Sequence, residues 1–191
     1  MTSRIRFSTA AQVFEAFPSL GGDVRMRPGD ETPIEILRRL TAGPRLFDPI
    51  AYCAYLLPRR ETVWWGLLCV RAVEGGAGNE ALRAAEAWVR DPDEALRRQS
   101  LALWQRGDRS APSSWLACAV GQSGGSVAPE GSFPIPAKPQ MTAIGVRTAL
   151  VLAVAGTDAR VQGEWVRACI DAFLRFAEGG ECRVTAPAMA K

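Results

Sequence analysis

Apolar residues recur along this chain at helical spacing, and helix start and stop residues fill the gaps between the apolar stripes. Val13, Phe14 and Phe17 follow Ser8, which predicts a short helix capped by Ser8 and ended by Pro18. Thr32-Pro33-Ile34-Glu35 has the form of a capping box with proline at the first helical position, where no amide hydrogen is needed. It opens a helix to about Leu40. Asp48-Pro49 opens another through Tyr52 and Leu56, closed by Pro58. Residues 60–73, with the run ETVWWGLLCVRAV, lack alternation and are long enough to favour a helix over a strand. Asn79 caps a helix whose Leu82, Ala85, Trp88 and Val89 form one stripe opposite Arg83, Glu86 and Arg90. Asp91-Pro92 starts the next, through Leu96, Leu103 and Trp104 to a stop at Gly107, so the two form an αα-hairpin. The alanine-rich stretch 114–120 follows Ala111-Pro112 and predicts a helix with Ser110 as N-cap and Gly124-Gly125 as its stop.

Thr142 to Ala155 is apolar on nearly every side apart from Arg147, which predicts a helix at the centre of a bundle. In the last segment Val161, Trp165, Cys169 and Phe173 recur every four residues beside Ala168, Ala172 and Phe176. Asp171 and Arg175 are spaced as an i,i+4 pair on the polar face, Gly179-Gly180 ends the helix, and 183–191 reads as a frayed tail. Strand-like alternation is confined to Ile5-Arg6-Phe7 and Val24-Arg25-Met26-Arg27, which could pair as a small edge. The expectation is an all-α fold, a single compact bundle of about eight or nine helices in one domain over 1–191.

One long irregular region interrupts the pattern. Residues 121–140 hold four glycines and Pro129, Pro134, Pro136 and Pro139. Loops of ~20 residues within a compact domain are uncommon and often functional. The helices on either side are too apolar to fold apart, which predicts an ordered excursion rather than a linker. Trp64 and Trp65 raise a second question, because adjacent helical positions point about 100° apart. Either one is buried while the other lies near Arg59 and Arg60 for cation–π stacking, or a central helix buries both. Trp88, Trp104, Trp115 and Trp165 read as core.

With 48% hydrophobic residues in 191, the chain can build a real core. The net charge is +3, and no basic-plus-aromatic module accompanies it, so no nucleic-acid partner is expected. The five cysteines are widely spaced and mostly inside apolar helices, which predicts buried reduced thiols. The N-terminus shows no continuous apolar signal segment. The most apolar run, Thr148 to Gly156, is far short of the ~20 residues of a membrane span. A soluble cytoplasmic protein with no membrane partner is expected.

Gly121-Gln122-Ser123-Gly124-Gly125 fits G-x-S-x-G, the nucleophile elbow of serine hydrolases. An elbow serine needs a neighbouring base, and this chain contains no histidine. Ser123 also follows an alanine-rich helical stretch instead of a strand, so it reads as a loop serine. The missing histidine also removes the commonest metal ligand and the usual neutral-pH proton shuttle. The acidic groups Asp91/Asp93/Glu94 and Asp30/Glu31 stand where helices begin, and capping accounts for them. No phosphate-binding glycine motif is present. No catalytic residue, metal or cofactor is expected.

Three blocks together resemble a bacterial helical domain family of unknown function. They are Leu56-Leu57-Pro58-Arg59-Arg60-Glu61-Thr62-Val63-Trp64-Trp65, then Ala87-Trp88-Val89-Arg90-Asp91-Pro92, then Trp115 with Ser123-Gly124-Gly125-Ser126. The resemblance runs from about Thr9 to Val154. It implies a setting in type VI secretion gene neighbourhoods and carries over no catalytic residues. The resulting expectation is a non-catalytic protein-interaction module, an accessory, adaptor or chaperone-like protein that binds a secretion-system component or effector. An immunity protein to a toxin effector and an enzyme with a carboxylate/arginine site are the alternatives. The expected partner-binding surface joins Arg59, Arg60 and Glu61, at a helix start exposed by Pro58, to Trp64 and Trp65 and to Ser123, Ser126 and Phe133 of the loop.

Overall fold

The computed structural model describes residues 3–75 and 79–187. Among these are ten helices and no strand: α1 (Ala10–Ala16), α2 (Leu20–Asp23), α3 (Pro33–Thr41), α4 (Asp48–Cys53), α5 (Arg59–Glu74), α6 (Glu80–Arg90), α7 (Glu94–Arg106), α8 (Pro112–Gly121), α9 (Met141–Ala155) and α10 (Gln162–Ala177). The fold is all-α. Eight helices have seven or more residues, and the short α2 and α4 take the total past the expected eight or nine.

Side-chain caps fix the starts of α1, α3, α6 and α7. Thr32 and Glu35 form the capping box of α3, and Asn79 accepts the Ala81 amide at the start of α6. Elsewhere the cap shifts. Thr9, not Ser8, caps α1, because Gln12 completes a reciprocal box with it. Asp93, not Asp91, caps α7, with its carboxylate 2.7 Å from the Leu96 amide. Ser110 binds Asp108 instead of capping, and Ala111 stands at the N-cap of α8. That helix ends at Gly121 and not at Gly124. A Cβ at Gly121 would lie 2.6 Å from the Leu101 Cα, so α7 and α8 touch backbone to backbone there, and Ser123 then turns back to the Val120 carbonyl. The chain after Cys53 tightens into short-range turns through Tyr55 and Leu56, which ends α4 early.

The apolar α9 lies at the centre, packed by α8, α5, α4 and α10. Gly145 allows α8 to approach, since a Cβ there would sit 2.8 Å from the Ala119 nitrogen. Arg147 reaches the rim and pairs with Asp23. Near the termini, Arg6 and Arg4 donate their amides to the Leu56 and Ala177 carbonyls, so the Ile5–Phe7 segment is tied to the helical bundle, and neither it nor Val24–Arg27 forms a strand. Cys182 and Val184 pack on the core and Arg175 donates to the Arg183 carbonyl, so the beginning of the 183–191 segment is held to the bundle; 188–191 lie outside the described residues. Among the described residues no ion pair joins Arg175 to Asp171. All five cysteines are free thiols, four of them buried. Among the described residues no helix is long and apolar enough to cross a membrane.

The tryptophans divide differently from the expectation. Trp65 and Trp88 are buried, whereas Trp64, Trp104, Trp115 and Trp165 are only half-buried. The Trp104 and Trp115 rings meet at 4.6 Å, tilted by 54°, with the Arg109 guanidinium over Trp104, and the Trp115 indole donates to the Arg109 carbonyl.

Candidate functional site

The long loop is an arginine-stapled hairpin. Ser126 and Pro136 form an isolated antiparallel bridge, flanked by Val127 N–H to Ile135 O at 2.8 Å and Ala137 N–H to Gly125 O at 3.1 Å. The Ser126 hydroxyl accepts the amides of Ala128 and Ile135. Three guanidiniums hold the hairpin from outside. Arg97 of α7, only 4% exposed, donates to the Gly121 and Ser126 carbonyls; Arg98 donates to Ala128; and Arg59 of α5 donates to Ser123. Gly125 has φ +59°, and a Cβ there would lie 3.2 Å from an Arg97 nitrogen, so this turn needs glycine for both conformation and space. The loop that results is ordered at its base and bare at its tip. Phe133 is 89% exposed and Ile135 55%. Ser123 is buried at the end of a helix, without the strand-to-helix turn of an elbow.

Glu94 locks the staple. It binds Arg97 through both oxygens at 2.7 and 2.6 Å and also takes Arg98 at 3.1 Å. Chiefly through the Arg97 hydrogen bonds, its carboxyl is pushed down to about 2 from 4.5. Because the folded value is the lower one, this contribution is present above pH 4.5 and is lost as pH falls through 2. The expected result is accelerating exchange of the Val127 and Ala137 amides, beyond the intrinsic rate, as pH falls across that window. Glu94→Gln should exchange faster already at neutral pH and show no such step.

The Arg59–Arg60–Glu61 corner departs from expectation. Each of its guanidiniums donates to a backbone carbonyl of this chain, Arg59 to Ser123 and Arg60 to the end of α6. Arg60 donates to Val89 at 2.6 Å and Arg90 at 3.1 Å, capping the carbonyl end of α6 as a cation should. Adjacent helical positions diverge, so Arg59 faces the loop while Arg60, Glu61 and Trp64 face a separate open groove of about 480 Å³. Arg4, Val89, Arg90 and Phe176 complete that groove. Arg4 stacks 4.2 Å over the Phe176 ring and donates to the Phe176 and Gly180 carbonyls. Among the described residues no cation–π contact joins Trp64 to Arg59 or Arg60. Trp65 belongs to neither surface. It is buried, with its indole N–H 2.9 Å from the Cys169 carbonyl and its ring edge-on to Phe173.

Of the eight residues expected at one surface, Arg59, Ser123, Ser126 and Phe133 meet at the hairpin, and Arg60, Glu61 and Trp64 line the groove. Arg97, Arg98 and Arg4 were not anticipated. The spacing of Glu94 with Arg97 and Arg98 was a visible signal for helical pairing, but their carbonyl acceptors lie 24 to 30 residues downstream. Among the described residues no group of three or more acidic or cysteine side chains is arranged to hold a metal ion.

Residues 36–177, from within α3 to the end of α10, match a family described as a family of unknown function, DUF6931, and the chain belongs to that family. No curated protein and no solved structure matches the chain.

Proposed function

We propose that this member of the DUF6931 family is a non-catalytic protein-interaction module that docks through the tip of the 121–140 hairpin into an apolar pocket of another protein. The observation that carries the reading is Phe133, 89% exposed at the end of a hairpin held by three arginines. An aromatic ring in water on an ordered support gains apolar burial on docking and loses little conformational freedom. Pro134 and Pro136 flank Phe133 and Ile135 in sequence and restrict the backbone further. Aromatic residues are also enriched in interface cores.

The resemblance of the three sequence blocks gives the finer setting: an accessory, adaptor or chaperone-like protein of a bacterial type VI secretion system, acting in the cytoplasm on a system component or an effector. An immunity protein to a toxin effector would use the same kind of surface. A candidate place for the enzyme alternative is the groove lined by Glu61 with Arg4, Arg60 and Arg90. Two of those arginines are committed to helix carbonyls, which leaves them poorly placed to meet a substrate.

The test is affinity capture from the native cytoplasm, quantified against Phe133→Asp. Loss of a buried aromatic anchor of hot-spot strength, about 2 kcal/mol or more, corresponds to roughly 30-fold weaker capture. The unfolding midpoint should stay unchanged, because Phe133 touches little of its own protein. Full-strength capture by the folded variant would refute docking through the tip.

A further inference from the structure

A second cleft, of about 400 Å³, lies between the end of α1, the α4–α5 corner and the start of α9. Its walls are divided by chemistry. Ala16, Phe17, Ala54 and Leu57 give an apolar side, and two guanidiniums, Arg6 and Arg59, stand on the other. No aspartate or glutamate lines it. We propose that this cleft binds a small carboxylic acid with an aromatic or branched apolar body, the carboxylate held by Arg6 and Arg59 and the body laid along Phe17 and Leu57.

Four observations support this chemistry. Arg6 lies over the Phe7 and Phe17 rings at 5.1 and 6.0 Å and has no ion pair or side-chain hydrogen bond among the described residues, so its donors are open. Arg59 gives one N–H to the Ser123 carbonyl, and a guanidinium has five. The hydroxyls of Thr62 and Thr142, which also line the cleft, are already donated to the Leu57 and Ala119 carbonyls. Thr142 and Ala143 stand in the first turn of α9, which no side chain caps, so positive potential is added from that wall. The cleft therefore offers donors and positive charge beside apolar surface, and planar guanidinium forks suit a carboxylate. The volume is within the 300–1,000 Å³ range of small-molecule sites. An inorganic anion would leave the apolar wall unused.

The test is titration of the full chain with 2-naphthoate, its neutral amide 2-naphthamide, and inorganic phosphate, followed by the Nε–H signals of Arg6 and Arg59 and by calorimetry. The expected result is saturable binding of 2-naphthoate with shifts at both arginines, and no comparable binding of the amide or of phosphate. Arg6→Ala should weaken binding at least tenfold without moving the unfolding midpoint. Arg6→Gln, which keeps the stem over Phe17, serves the same purpose if the alanine variant is destabilised, and Arg6→Lys should retain part of the affinity. Equal binding of the amide, binding of phosphate alone, undiminished binding by a folded Arg6 variant, or no shift at the two arginines would each overturn the proposal. None of these outcomes bears on docking by Phe133, because the hairpin tip does not line the cleft.

Discussion

Arg97→Ala is expected to lower the unfolding free energy by roughly 2–4 kcal/mol and to release the 122–138 hairpin from α7. The guanidinium is buried, and it joins Gly121 at the end of α8 to Ser126 at the bridge. Hydrogen bonds from charged donors contribute about 1.5–3 kcal/mol each, and losing the donor strands the buried Gly121 carbonyl while leaving the half-buried Ser126 carbonyl to water. The ion pair itself adds little to this figure, since Glu94 is 61% exposed and screened by water. Arg97→Lys should recover less than half of the loss, because one ammonium cannot reproduce a planar fork that reaches two carbonyls and a carboxylate together. Urea unfolding measures the first effect, and amide exchange at Val127 and Ala137 the second. Wild-type stability together with wild-type exchange in Arg97→Ala would show that the hairpin stands without the staple. The functional consequence follows from the same geometry. A released hairpin still carries Phe133, so partner capture should weaken through lost preorganisation and not through a lost contact.

The parts of this fold that sequence makes legible are those governed by local chemistry. The α3 capping box, the Asn79 cap and the uniformly apolar α9 follow from residues within one or two turns of each other, and they stand where the pattern puts them. The errors arise where two local solutions compete and distant packing decides. Ser8 and Thr9 are both adequate caps, but only Thr9 has Gln12 three residues ahead. Gly121 and Gly124 are both adequate stops, and the contact with Leu101 selects Gly121. The candidate site was legible in its ingredients and not in its assembly. Phe133 and the length of the loop are visible in sequence, as is the break at Pro58. The direction of Arg59 and Arg60 is not, because it depends on carbonyl acceptors 29 to 64 residues away. An arginine that caps a distant helix and one that waits for a partner have the same sequence signature.

Trp64 and Trp65 offer the sharpest separation of core from surface on one helix turn. Trp65→Ala is expected to destabilise the protein by about 3–5 kcal/mol, the range for deleting a large buried aromatic. Its side chain is fully buried between α5 and α10, 5.4 Å from the Phe173 ring, with the indole N–H bonded to Cys169. The helices cannot close over so large a void, since Gly66 beside it already meets Val146 and Leu116 with no room for a Cβ. Trp65→Phe keeps much of the ring contact and removes the N–H donor, so a smaller loss of about 1–2 kcal/mol is expected. Trp64→Ala removes a half-buried ring that lines the groove with Arg60 and Glu61 and packs on the core from outside, so its effect should be well below that of Trp65→Ala. The measurement is the urea midpoint of the three variants at matched slope. Equal losses for Trp64→Ala and Trp65→Ala would mean that α5 does not present one face to α10 and the other to the groove. A large loss at position 65 alone leaves Trp64 open to substitution, so that any change in partner capture by Trp64→Ala can be assigned to the groove.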